Sequence, residues 1–173
     1  VVESDRAPRS GWLLIVEGAG DEAAVARDAA RLGADFGAGD ATRGVIERVR
    51  SLQGENFAPA GLRFRLSVLP SRLDRVLREL AGAAAALPVS PGSGLAFARI
   101  APQSIADGVG VERAWQAMRS AARAGSGHVV LEAAPEWAKV ARDVHGDATD
   151  AWRLAGAVKA RFDPAGILNP GRY

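Results

Sequence analysis

The chain has no cysteine, which excludes disulfides, a thiol nucleophile and thiolate metal sites. Its two histidines, His128 and His145, are too few to hold a metal ion unless carboxylates join them. Lysine is almost missing, since among 22 Lys plus Arg only Lys139 and Lys159 are Lys. Aromatic residues make up 6%, so a core must be built mostly from small and branched aliphatic side chains. There is no serine nucleophile elbow, no P-loop and no paired-histidine zinc motif. No apolar run reaches membrane-spanning length, and no basic stretch followed by a hydrophobic one opens the chain. No membrane span and no signal peptide are therefore read, and a soluble, cytoplasmic setting is expected, with any membrane association made through partner subunits.

What is present is ordinary in bulk. A length of 173 residues suits one well-buried core and is short for two. Hydrophobic residues make up 48% and there are 20 glycines, a composition that lets helices approach closely. The 22 basic residues are balanced by 20 acidic ones, for a formal charge of +2. The two signs are interleaved rather than striped, which argues against a nucleic-acid footprint despite a pI of 9.6. The chain starts at Val1 without an initiator Met. Residues 1–10 are polar and proline-containing, and read as a linker from an upstream segment.

Hydrophobic periodicity orders the rest. Trp12 to Gly18 is a nearly continuous apolar run of strand length. Asp21 then caps a helix with Val25, Ala29, Leu32 and Phe36 on one side. Asp40 to Gly54 reads as a short helix carrying Val45, Ile46, Val49 and Leu52, and the stretch to Gly61 as the loop of an insertion. Leu62 to Val68 alternates strictly, with Leu62, Phe64, Leu66 and Val68 on one face and Arg63, Arg65 and Ser67 on the other. Ser71 is the expected cap of a helix bearing Leu73, Val76, Leu77, Leu80 and Ala84. Pro88 to Ser93 reads as a turn-rich link and Gly94 to Ile100 as the next strand. Val111, Ala114, Trp115, Met118, Ala121 and Ala122 mark a helix stopped by Gly125 to Gly127. His128 to Ala133 is a strand, and Pro135 starts a helix with Trp137, Val140, Ala141 and Val144 on one side. The last helix has Ala151, Leu154, Ala155, Val158 and Phe162 along its apolar stripe.

This order fits an α+β, ferredoxin-like cap: a four-stranded, mostly antiparallel sheet with helices on one face, followed by a C-terminal helix and tail. A doubly wound parallel sheet is the alternative. The sharp alternation of residues 62–68 favours the antiparallel arrangement, because a sheet covered on both faces has continuous apolar strands. In domain terms, residues 1–10 are linker, 11–150 the cap, and 151–173 the helix and tail.

If helices cover one face of the sheet, the other face carries Arg63, Arg65, His128 and Glu132. Two guanidiniums with a histidine and a carboxylate suit an anionic substrate, since arginine offers a planar fork to a carboxylate. The same residues also read as a solvated face whose charges pair across strands. His145, Gly146 and Asp147 read either as a base with its orienting carboxylate or as a polar loop. Gly92 to Gly94 is no phosphate cradle, because it precedes a strand instead of a helix. The open face lacks the paired aromatics on which nucleic-acid platforms stack bases.

The tail, Lys159 to Tyr173, holds two proline turns. Asp163-Pro164-Ala165-Gly166 suits type I and Asn169-Pro170-Gly171-Arg172 suits type II. Pro164 stops the helix near Asp163.

Lys159-x-x-Phe-Asp-Pro-x-Gly-Ile-Leu-Asn-Pro-Gly-Arg resembles the C-terminal signature of FAD-linked oxidases of the vanillyl-alcohol-oxidase (PCMH) type. Residues 62–71, the Gly127 to Glu132 strand with Ala134-Pro135 after it, and Asp143 to Asp147 look like the same family. Together they are most similar to the FAD-binding subunits of glycolate oxidases, in which Trp commonly stands at the position of His145. The resemblance implies FAD as cofactor, bound mainly by an upstream FAD-binding domain that this chain does not contain. It implies an FAD-dependent oxidoreductase subunit acting on a 2-hydroxyacid such as glycolate, with other dehydrogenase subunits as partners and little activity in this stretch alone. Asn169, Pro170 and Gly171 would approach the flavin, and Arg65 would steady the substrate carboxylate, with Arg63, His128 and Glu132 beside it. The His-rich metal motif and Glu-His-Gly segment of larger catalytic members are not in this sequence. That favours an accessory flavin subunit, and a non-catalytic, subunit-docking ferredoxin-like module is the alternative.

Overall fold

The computed structural model describes residues 14–37, 47, 61–83, 88–139, 144–147 and 150–170. The chain divides into two compact units, Val1–Asn56 and Phe57–Tyr173. In the first, helix α1 spans Glu22–Phe36. The Asp21 carboxylate accepts a hydrogen bond from the Ala24 N–H at 3.1 Å, as a cap should. Gly37, at φ 64°, ends the helix by donating its N–H to the Gly33 carbonyl. The apolar stripe expected on α1 is present in sequence, yet no residue of the helix is buried.

Over its described residues, the first expected strand is not formed. Among the described residues, Leu14 to Glu17 take part in no ladder, and Leu14 and Val16 are exposed. An apolar run supplies side chains for a sheet but not the partner backbone that defines a strand, and the whole described sheet is built by the second unit. Trp12 and Leu13 lie outside the described residues. So does the helix expected between Asp40 and Gly54, except Glu47, which is helical.

The second unit is a βαββαβ fold. Strand β1 (Leu62–Ser67) is followed by helix α2 (Leu73–Leu80), a two-residue strand β2 (Val89–Ser90), strand β3 (Leu95–Ile100), helix α3 (Gly108–Ala124) and strand β4 (His128–Ala133). The sheet order is β2-β3-β1-β4, and every pairing is antiparallel. This is the split βαβ arrangement of the ferredoxin-like fold, so the antiparallel expectation holds and the parallel alternative falls. The fourth strand comes from β2, inside the stretch expected to be a turn-rich link, where the short ladder is followed by a 3-10 turn at Pro91–Ser93.

The strict alternation of β1 appears directly as burial. Leu62, Phe64 and Leu66 are fully enclosed while Arg63, Arg65 and Ser67 are partly covered. Helix α3 buries the six expected residues, Val111, Ala114, Trp115, Met118, Ala121 and Ala122. Its cap is Asp107, whose carboxylate accepts from the Gly110 N–H at 2.7 Å. Phe64 and Trp115 stack with ring centroids 5.5 Å apart, joining sheet to helix. Helix α2 adds Leu73, Val76 and Leu80. It is not capped by Ser71: a 3-10 turn at Pro70–Arg72 leads into it, with no side-chain bond at the boundary. Pro70 fixes the turn's first residue in helical geometry, so no side-chain cap is needed there.

Beyond β4 come the four-residue helix α4 (Glu136–Lys139) and helix α5 (Asp150–Phe162). In α4, Ala138 is the fully buried residue and Trp137 is exposed, the reverse of the expected facing. One turn of helix is too short for periodicity to set its phase. The Val144 carbonyl accepts a hydrogen bond from the Leu131 N–H at 2.7 Å, so Val144 meets the outer edge of β4 at that point.

Candidate functional site

The open face of the sheet does gather the predicted charges. Opposite Arg63 on β4 stands Ala133 and opposite Phe64 stands Leu131, so Glu132 is the extra residue of a β-bulge. The bulge places its carboxylate between two arginines. Arg63 donates from Nε to Oε2 at 3.0 Å and its Nη2 forms an ion pair with the same oxygen at 2.9 Å, while Arg65 approaches Oε1 through Nε at 2.9 Å. The side chains of Arg63, Glu132 and Arg65 are 16%, 22% and 38% exposed. Arg63 is therefore the more enclosed partner, and more of the Arg65 side chain is exposed.

His128 occupies the far end of the same face, opposite Ser67 in register. Its pKa is held below the ordinary value, first by partial burial of the ring and then by the charge of Arg65. The residue as a whole remains exposed. It is therefore neutral at pH 7 and able to accept a hydrogen bond or a proton.

Strand β3 contributes two residues that the sequence reading passed over. Arg99 stands opposite Arg63, and Phe97 opposite Arg65. The alternation of Ala96, Ala98 and Ile100 into the core, all buried, was the signal that turns Leu95, Phe97 and Arg99 outward. Arg65 is thus flanked across the sheet by Phe97 on one side and Val130 on the other.

Asp147 and His145 do not make an evident base pair. The Asp147 carboxylate is held by Arg119, and by Arg123 through Nε at 2.8 Å and Nη2 at 2.7 Å. This ties the loop to α3, and the His145 ring lies 4.9 Å from that of Trp152. The polar-loop reading is the one the geometry favours.

In the tail, a single carboxylate organises the backbone. Asp163 accepts from Lys159 Nζ at 2.6 Å, from the Ile167 N–H at 2.9 Å and from the Leu168 N–H at 3.0 Å. Lys159 Nζ also donates to the Leu168 carbonyl at 2.7 Å. The Gly166 N–H donates to the Asp163 carbonyl at 3.0 Å and Gly166 has φ 65°, which closes the first expected turn. The Asp163 side chain is only 5% exposed. Its pKa is lowered chiefly by Lys159, then by the Leu168 and Ile167 N–H groups, with burial acting against them. The motif's spacing is thus explained: a carboxylate at the helix end reaches the amides four and five residues on, and a lysine one helical turn back neutralises it.

This staple delivers Asn169 at φ 47°, a left-handed conformation that asparagine tolerates better than other side-chain-bearing residues. Asn169 and Pro170 are exposed; Gly171 lies outside the described residues. Between the tail and the last helix runs an open groove of about 540 Å³, lined by Leu154, Val158, Phe162 and Leu168 together with Lys159, Asp163 and Asn169. The apolar stripe of α5 is therefore real but uncovered, with Leu154, Val158 and Phe162 all exposed. Among the described residues no helix is long and apolar enough to cross a membrane, and no group of three or more His, Asp or Glu could hold a metal ion.

Residues 146–173 match the family model for FAD linked oxidases, C-terminal domain. The stretch that carries the Asp163 staple is thus similar to the C-terminal end of flavin-dependent oxidoreductases. Comparison with curated proteins and with solved structures found no match.

The tail groove fits one part of a flavin. A groove lined by Leu154, Val158, Phe162 and Leu168, with Asn169 also in its lining, suits a flat, mostly apolar ring system with one polar edge. A pyrophosphate needs clustered backbone N–H groups at a helix start. Gly92 to Gly94 leads into strand β3, so that loop does not provide them.

Proposed function

We propose that this chain is the C-terminal part of an FAD-dependent oxidoreductase subunit acting on a 2-hydroxyacid such as glycolate. The observation that carries this reading is the match of residues 146–173 to the FAD-linked-oxidase C-terminal domain, on a tail whose internal staple fixes Asn169 at its exposed end. The flavin, when bound, accepts the hydride from the substrate's alcohol carbon. An upstream FAD-binding domain holds most of the cofactor, and Asn169, Pro170 and Gly171 contact the edge of its ring. The cap, residues 11–150, supplies the substrate side. There Arg65 binds the carboxylate through its outer nitrogens, Arg63 and Glu132 hold Arg65 in place, and neutral His128 lies within the same face.

The test is reconstitution of this chain with its upstream domain. The joined protein should show flavin absorbance and should reduce an artificial acceptor with glycolate. Asn169→Ala should weaken flavin retention, and Arg65→Ala should raise KM more than it lowers kcat. No flavin absorbance, or an Asn169→Ala protein that retains flavin as well as the parent, would sink the cofactor role.

A second reading is supported by the uncovered apolar stripe of α5. In it the chain is a non-catalytic module that docks other subunits of a dehydrogenase complex. It requires Arg65→Ala to weaken assembly while flavin content stays unchanged.

A further inference from the structure

Loss of hydride from a 2-hydroxyacid also requires a base for the hydroxyl proton. Among the described residues of the open face, one side chain suits that task. Arginine gives up no proton near neutrality, and both Glu132 oxygens are engaged, Oε2 by Arg63 and Oε1 by Arg65. His128 is neutral at pH 7, because partial burial of its ring and the charge of Arg65 hold its pKa below the ordinary value. The ladder sets its place. Arg65 pairs with Val130 and Ser67 with His128, so Arg65 and His128 are diagonal neighbours on one face, about 7–8 Å apart along the backbone. A carboxylate held by Arg65 leaves the α-hydroxyl of a small hydroxyacid one carbon away, within the span between the two side chains.

We infer that His128 is the catalytic base, which takes the α-hydroxyl proton of a 2-hydroxyacid whose carboxylate is held by Arg65. This rests on the reading of the face as the substrate side of an FAD-dependent oxidoreductase. The hydroxyl O–H bond breaks and its proton goes to an imidazole nitrogen of His128. The α C–H bond breaks with its electron pair, which leaves as hydride to the flavin, and the pair freed on oxygen closes the carbonyl. The substrate strengthens its own base. Its carboxylate offsets the Arg65 charge, so the ring accepts a proton more readily once Arg65 is occupied. Of the other charged groups on this face, Glu132 is paired with both arginines, and Arg63 and Arg99 face each other one step beyond Arg65. Around the ends of β4, Arg72 donates to Ser126, Asp147 is paired with Arg119 and Arg123, and His145 packs on Trp152. Arg65 is the one whose charge lowers the ring's pKa, so it is the one whose neutralisation matters.

The first arm of the experiment needs no flavin and no variant. The full 173-residue chain, labelled with 13C and 15N, is titrated with glycolate and separately with acetate at constant ionic strength, and the Arg65 Nε–H and His128 ring resonances are followed. Both ligands should shift Arg65 and raise the pKa of His128. Glycolate should shift the His128 ring further than acetate at equal saturation, because only glycolate carries the hydroxyl. The second arm uses the protein reconstituted with its upstream domain. There His128→Gln should lower kcat about 10²–10⁴-fold, with flavin absorbance unchanged and KM altered less than threefold. In the parent, kcat should fall as pH drops through the pKa of His128 in the substrate complex, and that acid limb should vanish in His128→Gln. A glycolate shift at Arg65 without one at His128, or a turning-over His128→Gln protein that keeps kcat within threefold of the parent, refutes the base alone. No shift at either residue refutes the carboxylate site and the base with it. A reconstituted parent without flavin, or one that does not oxidise glycolate, refutes the oxidoreductase reading and the base together.

Discussion

Replacing Glu132 by alanine tests the geometry of the open face through stability. The substitution deletes a charge-assisted hydrogen bond and a second ion-pair contact to Arg63, and the contact with Arg65 Nε. An exposed ion pair contributes roughly 0–1 kcal/mol, and breaking a fully buried one costs about 3–5 kcal/mol. With Arg63 at 16% and Glu132 at 22% exposure, the pair falls between these limits, and about 2 kcal/mol is expected. Most of that cost is the Arg63 guanidinium left without its carboxylate in a place water reaches poorly. A double-mutant cycle should therefore give a coupling of about 1–2 kcal/mol between Arg63 and Glu132. The coupling between Arg65 and Glu132 should be smaller, because Arg65 is 38% exposed and better screened. Urea unfolding at pH 7, followed by far-UV ellipticity and by tryptophan fluorescence, supplies the free energies if the two transitions coincide. A cost below about 0.5 kcal/mol for Glu132→Ala, or additive effects of Arg63→Ala and Glu132→Ala, would refute the account of a bulge-positioned ion-pair cluster.

Gly127→Ala should destabilise the second unit by more than about 2 kcal/mol, because a Cβ at this position runs into the Ser67 carbonyl and lies 2.7 Å from the Val68 Cα; urea midpoints measure it. Asp163→Ala should release the tail, with faster hydrogen exchange at the Ile167 and Leu168 amides and little change in the sheet. Because the folded pKa of Asp163 is lowered, its contribution is complete above the unfolded value and is lost as pH falls through the folded one. The same amides should therefore lose protection only in acid, below about pH 4, and release near neutrality would contradict the staple. His128 is likewise lowered, so the unfolded chain binds its proton more readily and the stability His128 confers is complete above about pH 6.5. That contribution declines as pH drops from there towards the folded pKa. An NMR titration giving a value above the ordinary one would refute the placement of the ring beside Arg65.

Legibility in the sequence followed the number of periods an element contains. Helix α3, with almost five turns, showed its six buried residues in advance, and the alternation over Leu62 to Val68 identified both faces of β1. The one-turn helix α4 and the two-residue β2 contain too few positions to display a period, so their facing and existence emerged only from packing. The four residues assigned to the open face do lie on it together. The bulge that joins them does not show in the sequence, because a one-residue offset arises from the pairing of two strands. Arg99 and Phe97 were within reach of the same alternation rule, had it been applied to β3.

By itself the sequence determined the local chemistry: the absence of thiols, the inward and outward faces of each long element, and the proline and glycine stops that shape the tail. It also holds the Lys159, Asp163 and Asn169 spacing, since those contacts span one or two turns of chain. Only the tertiary structure decided that the apolar run at Leu14 to Glu17 forms no strand, that β2 completes the sheet, and that Glu132 lies between Arg63 and Arg65. Each of these depends on which backbone finds a partner or fails to find one, whether a few residues away, as for β2 and β3, or across most of the unit, as for β1 and β4. Such pairings are settled by the shared burial of Leu62, Phe64, Leu66 and Trp115 in one core, a sum over many contacts that no local stretch contains.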